Sequence, residues 1–346
     1  MFIKNSQFIK VEGPDAVKYL QGQVTQDINL VTQIGPQWSF VLEPNGTMAG
    51  FVRIYKKDEN SYLLEVKSNN LNSTMERLTK FLIRTKADIN LYEDAVAISI
   101  FDFKGIRTVA EKLDSIEYGT IKLDLEEIYS QLEEELKPLE VNLPDKVPFA
   151  VASTFVTEGI CYDTVFFNRS IEVVSDCVLK IKRFEKEQPE IHKQVLKLNS
   201  IFRILTLTLE FNSELNTKTV PVEASKLIDR SVNFKKGCYV GQELVERIDA
   251  RKAVPPHSIK LALFSVLNCN SCNITGSNFV GINLMQSDEV VGTVLSCETL
   301  GDNVIAAVRL SRKFDPEKKL CLDLNPIVGS GLSMDPEVEG KVLQPI

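Results

Sequence analysis

Cys238 stands in the run Lys235-Lys236-Gly237-Cys238-Tyr239-Val240-Gly241-Gln242-Glu243, a thiol set among two cations and two glycines. Directly after it, Leu244, Val245 and Ile248 share one helical face, which predicts a helix from about Gly241 or Gln242. Cys238 then lies just ahead of that helix's N-terminus. The positive end of the helix dipole and the charges of Lys235 and Lys236 favour thiolate over thiol, so a lowered cysteine pKa is expected, with Lys236 as the charge partner. Gly237 and Gly241 suit a loop that takes positive φ or approaches a ligand closely, leaving amides free for an anion. The chemistry on offer is that of a reactive or ligand-facing thiol. The alternative is a small apolar side chain in a plain turn, since most single cysteines are buried and inert.

Other residues with metal or nucleophile chemistry are sparse. Cys269-Asn270-Ser271-Cys272 has the spacing of a ligand pair, but a zinc or cluster site needs four donors, and incidental thiols in a turn are the favoured reading. Only His192 and His257 are present, so a histidine metal site is poorly supplied. His257 as a base for Cys238 stays open as a minor alternative. No metal site is expected.

A chain of 346 residues, 44% apolar and 25% charged, has material for two or three cores and no signature of general disorder. A formal net charge of −7 argues against a surface built to wrap nucleic acid, so no direct nucleic-acid partner is expected. The N-terminal stretch has neither a signal h-region nor an Arg-rich transit pattern, and no apolar run reaches membrane-spanning length. The expectation is a cytoplasmic protein without membrane contact, with the mitochondrial matrix as the alternative. Seven scattered cysteines, Cys161, Cys177, Cys238, Cys269, Cys272, Cys297 and Cys321, fit reduced thiols.

The elements that must carry the cysteine loop are legible as an α+β pattern. Gly13-Pro14-Asp15 turns a strand into a short helix near Pro14. Residues 38–66 then read as three antiparallel strands, with turns at Pro44-Asn45-Gly46 and Asp58-Glu59-Asn60. Leu71, Met75, Leu78 and Leu82 predict an amphipathic helix over 70–85. Residues 95–103 read as a buried strand. Leu125, Ile128, Leu132 and Leu136 mark an acidic helix ended by Pro138, and another strand follows at 150–156. Val195, Leu198, Phe202 and Leu205 mark a further helix. No glycine-rich nucleotide loop is present. Pro255-Pro256 punctuates the chain, and the short strand-like runs beyond it predict a small all-β barrel. Two domains follow, 1–254 and 255–346.

Lys236-Gly237-Cys238-Tyr239-x-Gly241-Gln242-Glu243 resembles the signature of the YgfZ subfamily, which includes mitochondrial iron-sulfur assembly relatives, within the aminomethyltransferase (glycine-cleavage T-protein) superfamily. The resemblance extends to the opening block Val11–Asp27, to the first hairpin around Leu42–Tyr55 and to Thr219–Phe234 ahead of the loop. It implies two α+β lobes and a C-terminal β-barrel arranged as a three-lobed ring, with tetrahydrofolate in the central opening. It implies an accessory factor for assembly or repair of 4Fe-4S proteins, which affects tRNA modification through iron-sulfur methylthiolases. Cys238 would be the functional thiol and Lys236 its partner. Folate contacts would come from Gly237, Tyr239, Gly241, Gln242, Glu243, Arg203, Glu223, Thr25 and Asp27. Partners would be iron-sulfur proteins or cluster carriers, and the chain would be a monomer.

Two departures set this chain apart from the superfamily's enzymes. Their first hairpin carries an acidic pair, whereas Thr47-Met48-Ala49-Gly50-Phe51 has no carboxylate, so aminomethyl transfer is not expected. The block R-x-E-A-G appears as Arg203-Ile204-Leu205-Thr206-Leu207, and leucine cannot pair with a pterin's donors. Glu223 could supply that carboxylate from the neighbouring segment, or be a surface or capping glutamate. The rival readings are a folate-dependent one-carbon transferase and an interaction module that has lost its ligand.

Overall fold

A computed structural model of the chain describes residues 2–32, 35–101, 150–154, 161–167, 172–250, 254–265, 276–300, 303–324 and 337–343. The acidic helix ended by Pro138 and the Cys269/Cys272 pair lie outside the described residues. Two compact units are formed, one from 1–102, 137–189 and 210–253, the other from 103–136, 190–209 and 254–346.

The first unit contains β1 (Phe2–Ile3), β2 (Ser6–Glu12), α1 (Ala16–Gln23), β3 (Gln37–Leu42), β4 (Met48–Asp58), β5 (Ser61–Lys67), α2 (Leu71–Lys80), β6 (Asp88–Leu91), β7 (Val96–Phe101), β8 (Ala150–Thr154), β9 (Cys161–Phe166) and α3 (Glu172–Glu187). Strands β3-β4-β5-β2-β6 make one antiparallel sheet, and β1-β7-β9-β8 a second. The period of two sorts the first sheet's side chains. Ile9, Val11, Val52, Ile54, Tyr62, Leu64 and Val66 join one core with Leu20 of α1 and Leu78 of α2. Phe8, Tyr55 and Leu63 point the other way, into a core shared with Ala97 and Val165 of the second sheet.

That second face also holds an ion cluster. Arg53 and Glu65 oppose each other in register, and the Glu65 carboxylate accepts from Arg53 (2.7 and 2.9 Å), Tyr55 (2.7 Å) and Ser6 (2.9 Å), with the Lys4 ammonium at 3.0 Å. Burial works to raise the Glu65 pKa, but the charges of Arg53 and Lys4 and these hydrogen bonds hold it well below the usual carboxylate range. Trp38 lies over the Arg53 guanidinium (4.9 Å), and stacks on Phe51.

The expected meander is present, with β4 and β5 joined across Glu59-Asn60 and β3 and β4 joined across Pro44-Asn45-Gly46. The expected helix over 70–85 is shorter. Phe81 and Leu82 close three-residue turns onto Leu78 and Thr79, and Arg84 at φ 57° leads the chain away, so α2 stops at Lys80.

Beyond α3 comes α4 (Pro189–Leu205), which from Glu190 on belongs to the second unit. Its expected stripe is in place: Val195, Leu198, Phe202 and Leu205 are all buried. The chain then returns to the first unit for α5 (Ser225–Ser231) and α6 (Gln242–Ala250).

In the second unit, β10 (His257–Ser265), β11 (Asn283–Gln286), β12 (Glu289–Leu300), β13 (Asn303–Ser311), β14 (Leu320–Asp323) and β15 (Glu337–Leu343) close a barrel in the order β10-β13-β12-β11-β14-β15. Phe264, Phe279, Leu284, Val294, Val308, Leu322 and Val338 fill it. The fold is α+β with a closed C-terminal barrel, as the sequence pattern predicts.

Candidate functional site

The site is assembled in the first unit from two segments far apart in sequence: the stretch leaving α1, Val24–Asp27, and the loop between α5 and α6. Thr25 is fully buried; its amide donates to Phe40 O (3.1 Å), while its hydroxyl donates to Ser231 O (2.6 Å) and accepts from Phe40 N (2.9 Å). Asn233 N returns a bond to Thr25 O (3.0 Å), and the Gln26 side-chain Nε2 donates to Arg230 O (3.0 Å). Thr25 therefore fastens the end of α5 to the first sheet. Asp27 accepts from Gln21 and from the amide and side chain of Asn29, capping the short 3-10 turn Ile28–Leu30. Burial opposes its ionisation, but these bonds and the Lys236 charge outweigh burial and hold its pKa below the usual value.

Lys236 reaches back into this stretch. Its ammonium donates to Val24 O (2.7 Å) and Gln26 O (2.9 Å), and sits 5.3 Å from the centre of the Tyr239 ring. Burial pushes its pKa down to about 8, with the Asp27 charge opposing. The cation expected to serve the thiol is thus anchored on main-chain carbonyls.

Cys238 itself is an exposed free thiol. Tyr239 beside it is buried, its amide donating to the Gln242 side chain (2.9 Å), and Val240 N donates to Gly22 O (3.0 Å). Burial, reinforced by the Glu246 charge, pushes the tyrosine pKa upward, so the phenol stays protonated. The helix begins at Gln242, as expected, with Glu243 exposed in its first turn.

The two loop glycines differ. A Cβ on Gly237 would meet nothing within 4 Å, so the loop is open there. Gly241 has φ +84°, and a Cβ would stand 2.4 Å from Glu43 O and 2.8 Å from Leu42 Cβ. The turn of the first hairpin meets it glycine to glycine, because a Cβ on Gly46 (φ +86°) would lie 3.2 Å from Gly241 O and 2.8 Å from Leu244 Cβ. Gly46, Gln26 and Asn233 bear no reactive chemistry in the sequence; each lies within one of the blocks that carry the family resemblance.

The hairpin is tightly packed at Gly50. A Cβ on Gly50 would stand 2.4 Å from Thr74 Oγ1, and Ala49 O accepts from Asn70 and Ser73 of the α2 start. Glu223 lies in a 3-10 turn packed on α6 and is 2% exposed, which corrects the surface reading of that residue. Arg203 and Leu205 belong to the other unit. Arg203 donates to Thr208 O (3.3 Å) and, with Lys197, lends positive charge to Glu298, whose pKa burial raises. Leu205 is buried. His257 also lies there, its Nδ1 3.2 Å from an Arg309 nitrogen. Among the described residues, no three His, Cys, Asp or Glu side chains gather as a metal site, and no helix is long and apolar enough to cross a membrane.

No protein-family model matches the chain. It is 26% identical over 322 residues to the tRNA-modifying protein YgfZ of Serratia proteamaculans, covering 90% of this chain and 84% of that protein. It is 23% identical over 283 residues to the mitochondrial iron-sulfur cluster assembly factor IBA57 homolog of Aspergillus oryzae, covering 76% and 56%. An aminomethyltransferase of Bacillus cereus matches at 28% over 121 residues, 34% of this chain and 33% of that protein. Among solved structures, the glycine cleavage system aminomethyltransferase T from Bartonella henselae superposes with a TM-score of 0.65 at 13% identity, over 99% of this chain and 84% of that one. That last likeness concerns the fold.

Proposed function

We propose that the chain, similar over most of its length to YgfZ and over three-quarters of it to an IBA57 homolog, is a member of that branch of the aminomethyltransferase superfamily and serves the assembly or repair of iron-sulfur proteins, with effects on tRNA modification. Cys238 is the working thiol. The observation that carries this reading is the contrast within the loop: Cys238 is exposed, while Tyr239 is buried and the backbone on both sides is tied to α1 and its exit. A thiol held in this way is presented to a partner. One cysteine cannot hold a cluster, so ligation by Cys238 requires further ligands from an iron-sulfur client or carrier protein. As a ligand the sulfur must first lose its proton.

Transfer chemistry is disfavoured because Ala49 and Gly50 carry no carboxylate, and a side chain at Gly50 would crowd Thr74. Tetrahydrofolate is proposed as a ligand on narrower grounds. Glu223 is a buried carboxylate, the kind of acceptor a pterin's donors pair with; Thr25, Asp27 and Gln242 hold segments of the first unit together, and Leu205 offers no polar atom. When bound, a reduced folate supplies a one-carbon carrier or an electron donor; the thiol's presentation does not depend on it. A monomer in a cytoplasm or a mitochondrial matrix completes the proposal.

The test uses cells that lack their own relative. The wild-type chain restores methylthio modification of tRNA and Cys238→Ser does not. Restoration by both would remove the thiol from the function, and restoration by neither would remove the function. In parallel, tetrahydrofolate is titrated against wild type, Cys238→Ala and Glu223→Gln. Saturable binding that survives the first change and is lost in the second is expected; no binding by wild type at millimolar ligand would eliminate folate.

A further inference from the structure

The stretch leaving α1 alternates its hydrogen bonding. Thr25 N faces β3 through Phe40 O, whereas the carbonyls of Val24 and Gln26, both buried residues, face the cysteine loop. Buried carbonyls need donors, and at these two the donor is the Lys236 ammonium, at 2.7 and 2.9 Å across 212 and 210 residues of sequence. One side chain with three donors can serve two carbonyls from a single point; an apolar residue of the same length can serve neither.

We propose that Lys236 is a positioning residue, whose ammonium pins the cysteine loop to the exit of α1 and so fixes where Cys238 is presented. The inference rests on the reading of Cys238 as the working thiol. Cys238 lies between two fixed points, the Lys236 pin on one side and the buried Tyr239 ring on the other, and a Cβ on Gly237 between them would meet nothing within 4 Å. The groups facing the ammonium are the two carbonyls, the Asp27 charge and the Tyr239 ring. Its cost supports the assignment. The folded-state pKa lies below the ordinary 10.5, so the charged form opposes folding below about pH 8, and that penalty fades as pH rises toward 10.5. A lysine placed for stability would stay in water.

The experiment compares wild type, Lys236→Met and Lys236→Arg by amide hydrogen exchange, read at Asn233 and Val240, whose amides bond Thr25 O and Gly22 O. Loss of the pin lowers protection at these two amides by about tenfold in Lys236→Met, with partial recovery in Lys236→Arg. Protection within about twofold of wild type in Lys236→Met would overturn the proposal. If Lys236→Met does not fold, wild-type protein decides by NMR titration of the lysine side chains: one resonance moving near pH 8 is expected, and Lys236 titrating with the bulk lysines would overturn it. Restored tRNA modification by Lys236→Met at the wild-type level, where Cys238→Ser gives none, would refute the link to function. If Cys238→Ser itself restores modification, the thiol reading fails, and the exchange and NMR data still judge the pin.

Discussion

Replacing Gly241 with alanine puts a methyl group where the hairpin and the cysteine loop touch. At φ +84° an alanine costs about 1–2 kcal/mol in backbone strain. The new Cβ would also stand 2.4 Å from Glu43 O, an atom of the backbone that cannot rotate aside as a flexible side chain would. Forcing the hairpin turn back adds about 1–3 kcal/mol, as overpacking does elsewhere. The total of about 2–5 kcal/mol corresponds to a fall of about 4–20 °C in the unfolding temperature of a unit this size. Gly237→Ala is the internal control, because its Cβ meets nothing, and it should stay within about 0.5 kcal/mol of wild type. Thermal unfolding followed by circular dichroism measures both, and tRNA modification in cells reports whether the displaced hairpin drags Cys238 with it. Equal unfolding temperatures for the two alanine variants would refute the close-packed account of the loop.

The Glu65 cluster and the thiols give two more expectations. Glu65→Gln leaves Arg53 buried without its counter-charge and should destabilise the first unit by about 3–5 kcal/mol, seen in urea unfolding at pH 7. Because the folded Glu65 pKa is depressed, its contribution is complete above the unfolded value near 4.5 and is lost as pH falls below it. The variant's stability should therefore decline less steeply in acid, and parallel acid curves would show that Glu65 is not the titrating group. Cys297 is buried, and burial, aided by Glu298, pushes its thiol up to about 12. Iodoacetamide at pH 8 should modify Cys238 in the folded protein and reach Cys297 only after denaturation. Peptide mass spectrometry that found Cys297 labelled as fast as Cys238 would contradict the packing of the barrel.

Period and punctuation made most of the fold legible. Strand alternation in β2, β4 and β5 and the stripe on α4 appear in the structure as cores, because burial is written directly into side-chain type. Boundaries set by backbone geometry were harder to read: α2 stops at Lys80, ahead of the left-handed Arg84, although Leu82 continues the apolar spacing. The cysteine loop was visible as a run of unusual residues. Thr25 and Asp27 entered the site only through the family resemblance, and the tie from Lys236 to this stretch stayed hidden, because hydrogen bonds to main-chain carbonyls leave no mark on Val24 or Gln26. For Glu223 the sequence leaves a pterin-pairing carboxylate and a surface or capping glutamate open, because a charged side chain carries no sign of its burial until the turn that encloses it is known.

The tie between the exit of α1 and the cysteine loop has a consequence for synthesis on the ribosome. Gln26 and Lys236 are 210 residues apart, so at about 5–20 residues per second the carbonyls wait roughly 10–40 s for their donor. Until then the early sheet can form with its meander complete while its rim at Val24–Asp27 remains unsealed. A chaperone that recognises unpaired backbone would find it there during that interval. The thiol is brought to its working position only when more than two-thirds of these residues have been joined, so an interrupted product carries the sheet without a presented cysteine.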